Sequence, residues 1–414
     1  MKALGKYSFG MGDRFGLEGD AQLKAILHAN AKRINITPVW NKSHREHLTV
    51  NSKPEIVRKE AEIAIKNLNF KDPYFVDADH INFDIVDDYI PYCDFFTIDV
   101  AQFIGKAPYQ KEKDAFLQFV QPYQGALYIP GIKNSITIDE NELNEIINTF
   151  LFAAKKASEV YEHISLKKDD DFVVEVSMDE VAKPQSPIEL FFILAALAYY
   201  KVPVSTLAPK FTGRFNKGID YEGELRMFEK EFEEDLQVLK FAKKEFGLPD
   251  QLKLSIHSGS DKFSIYPVMN RLIKKHNAGI HVKTAGTTWL EEITVLAESS
   301  KEGFDFALKV YEKALDRYDE LTSPYPDVLD IDKKALPSLE NLKNDGKEKM
   351  AQALRHEPRG NRMNPHLRQL MHCAYKIAAE ERGEFYNLMT LHRRAIEEKV
   401  MENLLEKHIK PIFF

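Results

Sequence analysis

Three histidines, His80, His257 and His281, each stand on or beside the end of a short apolar run, and acids and lysines end neighbouring runs in the same way. Neutral imidazole binds Zn²⁺, Mn²⁺, Fe²⁺ or Ni²⁺, and a site with three protein ligands leaves positions open for a substrate carbonyl and hydroxyl. In VVEVSMDE, period-two alternation puts Glu175, Ser177 and Asp179 on one face of a strand, with Val174, Val176 and Met178 on the other. The same parity joins Asp77 to Asp79 and His281 to Lys283. His80 has the opposite parity to Asp79, so only a flared strand end would turn it inward. Asp79, Glu175 or Asp179 could stand in for it as third ligand. His44 and His47, spaced for one helix face, form a rival pair that reads as a solvated turn.

Placing those side chains together requires strands whose ends meet. Leu252–Ile256 and Gly279–Val282 flank a helix-spaced stretch, Ile265–His276, which is the pattern of a parallel strand pair with a crossover helix. His257 and His281 would then lie side by side. Six more strand candidates precede them: Lys6–Gly10, Ile34–Trp40, Tyr74–Ala78, Phe95–Val100, Phe172–Met178 and Val202–Leu207. Eight strands in alternation with helices imply an α/β fold, a (β/α)8 TIM-type barrel, whose ligand site lies at the carboxyl ends of the strands. Residues 1–330 form the barrel in this reading, with an insertion after strand 4 over about 101–170. Residues 331–414 form a C-terminal helical extension that packs on the barrel or builds a subunit contact.

Composition excludes several classes of function. With 57 basic and 64 acidic residues mixed along 414, a general nucleic-acid or anionic-membrane binder is not expected. The longest apolar stretch, Leu190–Tyr200, is too short to span a bilayer and reads as a buried helix. Cys93 and Cys373 are far apart in the sequence, which suits a reducing compartment and gives no disulfide framework. Met1–Gly10 lacks the features of a secretory signal, so a cytoplasmic protein is expected. The turn GMGDRFG does not meet GxGxxG and no Walker sequence occurs, so no nucleotide cofactor is expected.

Cations near the strand ends suit a carboxylate or phosphate. Arg14 lies in the glycine-rich turn, and Lys262 and Lys283 follow the last two strands. The small and hydroxyl residues of those loops, Ser258, Asp261 and Thr284, are further candidates for substrate contact. Arg368, Gln369 and His372 share one helical face and could close a site from above.

Several stretches together resemble the metal-dependent hexuronate epimerases that interconvert tagaturonate and fructuronate. These are GMGDRFG, EVSMDE, HSGSDKFSIYP, HVKTAGTTWLEE and RQLMHCAY, which span most of the chain. The resemblance implies an isomerase of hexuronate metabolism that acts on a small keto-uronate. The ketoses differ at carbon 4, β to the ketone, so enolisation cannot invert that centre, and the missing dinucleotide motif weighs against transient oxidation. Retro-aldol cleavage and re-addition remains, with a metal held by His80, His257 and His281 stabilising the enediolate. Asp79 and Glu175 would transfer the protons, with Asp179 as substitute, and a cation among Arg14, Lys262, Lys283 and the tail would grip the carboxylate. A metal-dependent aldose–ketose isomerase or aldolase on a sugar acid, or a non-catalytic sugar-acid-binding protein, are the alternatives.

Overall fold

Strand-and-helix alternation does produce a closed barrel. A computed structural model, which describes residues 4–133, 135–169, 171–258, 261–284, 286–360 and 362–414, has eight parallel strands at its centre. They are β1 (Tyr7–Gly12), β2 (Ile36–Ser43), β3 (Phe75–Ile81) and β4 (Phe95–Asp99). The circle continues with β5 (Val173–Ser177), β6 (Val204–Ala208), β7 (Lys253–His257) and β8 (Ile280–Lys283). Each strand pairs with the next in sequence, and β8 pairs with β1.

Alternation along each strand separates two cores. Outward side chains such as Phe9, Val76, Ile98, Val176 and Ile256 pack under the helices. Inward, Leu4, Val39, Phe75, Phe95 and Val173 form a separate apolar plug that closes one end of the barrel. Above the plug the interior turns polar, with Ser8, Asp77, Thr97, Glu175, Thr206 and His281 all buried. Water cannot reach these groups, so each needs a partner inside the barrel.

The apolar stretch Leu190–Tyr200 belongs to the helix Pro187–Tyr199, capped by a reciprocal Ser186–Glu189 box. It packs between the long helices Glu140–Lys167 and Leu225–Phe246, which explains why it is apolar on every side. Among the described residues no helix is long and apolar enough to cross a membrane. Between β4 and β5 lie the helix Gln110–Val120 and a small hairpin of Gly125–Leu127 with Ile136–Ile138. Glu140–Lys167 follows them and serves as the crossover helix to β5. Both cysteines are buried free thiols.

The C-terminal helices lie against the barrel. Trp289 donates its indole N–H to the Met371 carbonyl at 2.7 Å, and Phe413 packs its ring 5.2 Å from that of Tyr7. The helix Pro365–Cys373, started by the Asn364 side chain, carries His372 to the open end of the barrel.

Candidate active site

Regular alternation in β3 would point His80 away from the barrel axis. Instead, Ala78 pairs with Phe96 and Ile81 with Ile98, so two residues of β3, Asp79 and His80, lie opposite one of β4, Thr97, and β3 carries one extra residue. His80 absorbs it with a left-handed φ of 54°, a conformation that costs roughly 1–2 kcal/mol in a residue other than glycine. This bulge turns Asp79 and His80 into the mouth together. His80 Nδ1 then lies 3.0 Å from Asp79 Oδ1, and Nε2 lies 3.5 Å from Asp179 Oδ1.

His257, at the end of β7, approaches the same carboxylate, with Nδ1 3.1 Å from Asp179 Oδ1. Its other nitrogen, Nε2, is 2.7 Å from Glu175 Oε1. One ligand atom from each of His80, Asp179 and His257 can be chosen so that all three fall within 4.8 Å of one another. His80 Nε2 and His257 Nδ1 are buried and make no well-formed hydrogen bond, although both are aimed at Asp179. Two unpartnered imidazole nitrogens converging on a carboxylate fit a divalent cation.

The charges of the triad reinforce one another. Burial opposes the imidazolium of His257, yet Asp179 and Glu175 raise its pKa to about 9. Burial likewise opposes the charge on His80, and Asp79 together with Asp179 holds it well above the ordinary histidine value. The Asp179 carboxyl resists burial because His257 and His80 hold it well below the usual carboxylate range. A cation bound here would replace two protons.

Beneath the triad, Lys283 crosses the barrel axis. Its ammonium contacts Asp77 Oδ2 at 2.7 Å, Asp79 Oδ1 at 2.9 Å, Glu175 Oε1 at 2.9 Å and Thr97 Oγ1 at 2.6 Å. Burial disfavours that charge, but the three carboxylates hold the lysine well above its ordinary pKa. Gly10 makes the crossing possible, since a Cβ there would lie 2.9 Å from Lys283 Cγ.

The third histidine of the expected metal set is placed elsewhere. The β7–β8 register pairs Lys283 with His257, and His281 with Ser255. His281 is therefore two residues deeper in the barrel than His257, roughly 6.6 Å at the rise of a parallel strand. There Nδ1 meets Ser8 Oγ at 2.9 Å, and burial lowers the imidazole pKa to about 3. Asp179 takes the position in the triad that the sequence reading gave to His281.

A cavity of about 570 Å³ opens above the triad. Of the expected site residues, Arg14, Asp79, His80, Asp179, His257, Lys283 and His372 line it. Glu175 does not: it lies below the floor, bonded to Thr206, Lys283 and His257. Ser258 and Thr284 are committed to the backbone carbonyls of Lys283 and Gly10. The Lys262 ammonium donates to the carbonyls of Asn216 and Ile219, and burial lowers its pKa to about 7. Asp261 and Arg368 pair with each other at 2.6 Å beneath the C-terminal helices. The rival histidines sit on a capped helix, His44–Val50, where His47 is buried against Ser52 instead of solvated.

The sequence profile of the tagaturonate epimerases matches residues 2–412. The chain belongs to the tagaturonate epimerase family. The tagaturonate/fructuronate epimerase of Thermotoga maritima is 27% identical over 419 aligned positions, which cover 97% of this chain and 79% of that protein. A glycerol-complexed crystal structure of the fructuronate-tagaturonate epimerase from Cohnella laeviribosi superposes with a TM-score of 0.81. It is 24% identical, and the match covers 99% of this chain and 82% of that one. The native crystal structure of the Cohnella enzyme gives a TM-score of 0.79 at 23% identity over the same shares. These structures share the fold of this family member.

Several residues of this epimerase-family cavity escaped the reading of the sequence as site residues. Asp99 ends β4 with its carboxyl in the cavity beside the triad, and burial raises its pKa. Its signal was available, since it has the same parity as Thr97 and ends a strand as Asp79 does. Arg45, Lys217 and Tyr325 also line the cavity, but they come from a helix and two irregular segments whose spacing carries no such signal.

Proposed function

We propose that this protein interconverts D-tagaturonate and D-fructuronate by retro-aldol cleavage and re-addition at a divalent-cation site. The observation that carries this reading is the convergence of His80, His257 and Asp179 at the base of a cavity whose adjoining walls bear Asp79 and Asp99. His80 Nε2, His257 Nδ1 and the Asp179 carboxylate would hold the ion. Its chemistry there is Lewis-acid stabilisation of negative charge developing on the ketose oxygens.

The chain's own residues supply the proton transfers. Asp99, whose carboxylate is made more basic by burial, accepts the carbon 4 hydroxyl proton in its ionised form and later returns it. As that proton leaves, carbon 4 becomes an aldehyde and the electron pair of the carbon 3–carbon 4 bond passes into the other fragment. The aldehyde turns to present its opposite face, the bond re-forms and the proton goes back to the new hydroxyl. Asp79, ionised beside Lys283, accepts hydrogen bonds from substrate hydroxyls. Asp99 thus takes the role first assigned to Glu175, which supports His257 from below.

The test is turnover of tagaturonate in deuterated water by protein loaded with Zn²⁺, Mn²⁺, Fe²⁺ or Ni²⁺. Product fructuronate should carry no carbon-bound deuterium. Deuterium at carbon 1 or 3 would show enolisation and favour an isomerase mechanism, and full activity after chelation would refute the role of the cation.

A further inference from the structure

The wall of the cavity formed by the helix His44–Val50, the β6 loop and the segment that carries Tyr325 is cationic, unlike its acidic base. Arg45 and Lys217 approach the ring of Tyr325, with the guanidinium carbon 5.1 Å and the ammonium 5.4 Å from its centroid. The Tyr325 hydroxyl is 3.3 Å from that of Tyr375, over whose ring Arg14 lies at 4.2 Å. Two of these cations have partners: Arg14 is 3.1 Å from Glu46, and Arg45 is 3.6 Å from Glu180. Lys217 has none among the described residues, where no carboxylate falls within ion-pair distance of its ammonium. Asp327, exposed on the same cavity lining, is not paired with it.

Lys217 is nevertheless held in place. It is half-buried, and its backbone N–H donates to the Val328 carbonyl at 2.8 Å, which ties the β6 loop to the segment that carries Tyr325. His372 adds no charge beside it, because burial and then Arg14 and Lys217 hold that imidazole well below its ordinary pKa. The cluster therefore keeps one uncompensated positive charge.

We propose that Lys217, backed by Arg45 and Tyr325, binds the carbon 6 carboxylate of the substrate and selects acidic over neutral ketoses. The proposal rests on the keto-uronate reading. With the ketone end at the triad and the carboxylate at Lys217, the substrate spans the cavity from acidic base to cationic wall. Neither Lys262 nor Arg368 can do this work, since both are committed to partners outside the cavity. A neutral ketohexose would leave Lys217 desolvated without a counter-charge.

The test uses metal-loaded wild-type, Lys217→Met and Lys217→Arg proteins, with tagaturonate as substrate and tagatose as a competitive inhibitor. Loss of a charge-assisted contact predicts that K217M raises KM for tagaturonate on the order of 100-fold while kcat changes much less. K217R should recover most of that loss; the inhibition constant of tagatose should stay at or fall below the wild-type value in K217M, because the uncompensated charge is gone, while metal content and melting temperature should match wild type. A wild-type-like KM in K217M, or equal weakening toward tagaturonate and tagatose, would overturn the subsite while the epimerase reading stands. A wild-type protein inert toward both keto-uronates would overturn that reading and the subsite with it.

Discussion

His257 Nε2 lies 2.7 Å from Glu175 Oε1, and this contact fixes which nitrogen of His257 is free. With Nε2–H donated to a fully buried carboxylate, Nδ1 is left to face Asp179 and is the atom His257 would offer to a cation. Carboxylate support of this kind orients a metal-binding imidazole and raises its basicity. Glu175→Gln should therefore weaken Zn²⁺ or Mn²⁺ affinity by about 10- to 100-fold with the barrel intact. Competition against a chromophoric chelator measures this, and unchanged affinity would remove Glu175 from any supporting role.

Protonation of the triad gives a second expectation. His257 has its folded pKa raised to about 9 from 6.5, and that of His80 is raised as well, so the metal-free protein holds protons on both at neutral pH. Metal binding at pH 7 should release close to two protons per ion, read as the buffer dependence of the binding enthalpy. The sign for stability follows from linkage. In the metal-free protein, stabilisation by these imidazolium pairs is fully present below the unfolded value of 6.5 and is lost as pH rises through about 9. Release of less than one proton would contradict the triad.

A third expectation separates the two strand-end histidines. His257→Gln should abolish stoichiometric metal binding, whereas His281→Gln should retain it, because His281 lies a layer deeper against Ser8. The cost at position 281 is one of stability, roughly 1–3 kcal/mol for an interior hydrogen bond and its neighbours. Metal analysis of the two purified variants decides the matter. Loss of metal in both would return His281 to the ligand set.

The contrast between His281 and His80 shows what could be read from the sequence. Strand identity was legible, because apolar runs, most of them ending in polar residues, mark the barrel strands, and parity put Glu175, His281 and Lys283 on buried inward faces. Depth along the barrel axis was not legible, since it depends on inter-strand register, which set His281 opposite Ser255. His80 broke the parity rule through a bulge, and a bulge leaves no periodic signature without a glycine to mark it. Lys217 and Tyr325 belong to irregular segments where no period applies, so only tertiary contacts, such as the Lys217 N–H to Val328 carbonyl bond, bring them together at the cavity.

The last expectation concerns how the C-terminal extension stays closed. Asp261, in the loop after β7, receives Arg368 Nη2 at 2.6 Å and lies 3.0 Å from His356 Nδ1 and 3.2 Å from His408 Nε2. All four side chains are buried, so the loop and three parts of the extension meet at one desolvated carboxylate. Burial works against that charge, yet Arg368 and the histidines hold Asp261 well below the usual carboxylate range. Its contribution is present above the unfolded carboxylate value and is lost only as pH falls through the lower folded one. Asp261→Asn should destabilise the protein by about 3–5 kcal/mol, because Arg368 is then buried without a counter-charge. The double variant Asp261→Leu, Arg368→Met should be less destabilised than the sum of the single variants, since it removes both charges together. Urea unfolding of the wild type, Asp261→Asn, Asp261→Leu, Arg368→Met and the double variant tests this, and additive losses of the Leu and Met variants would mean that the two residues do not form a coupled latch.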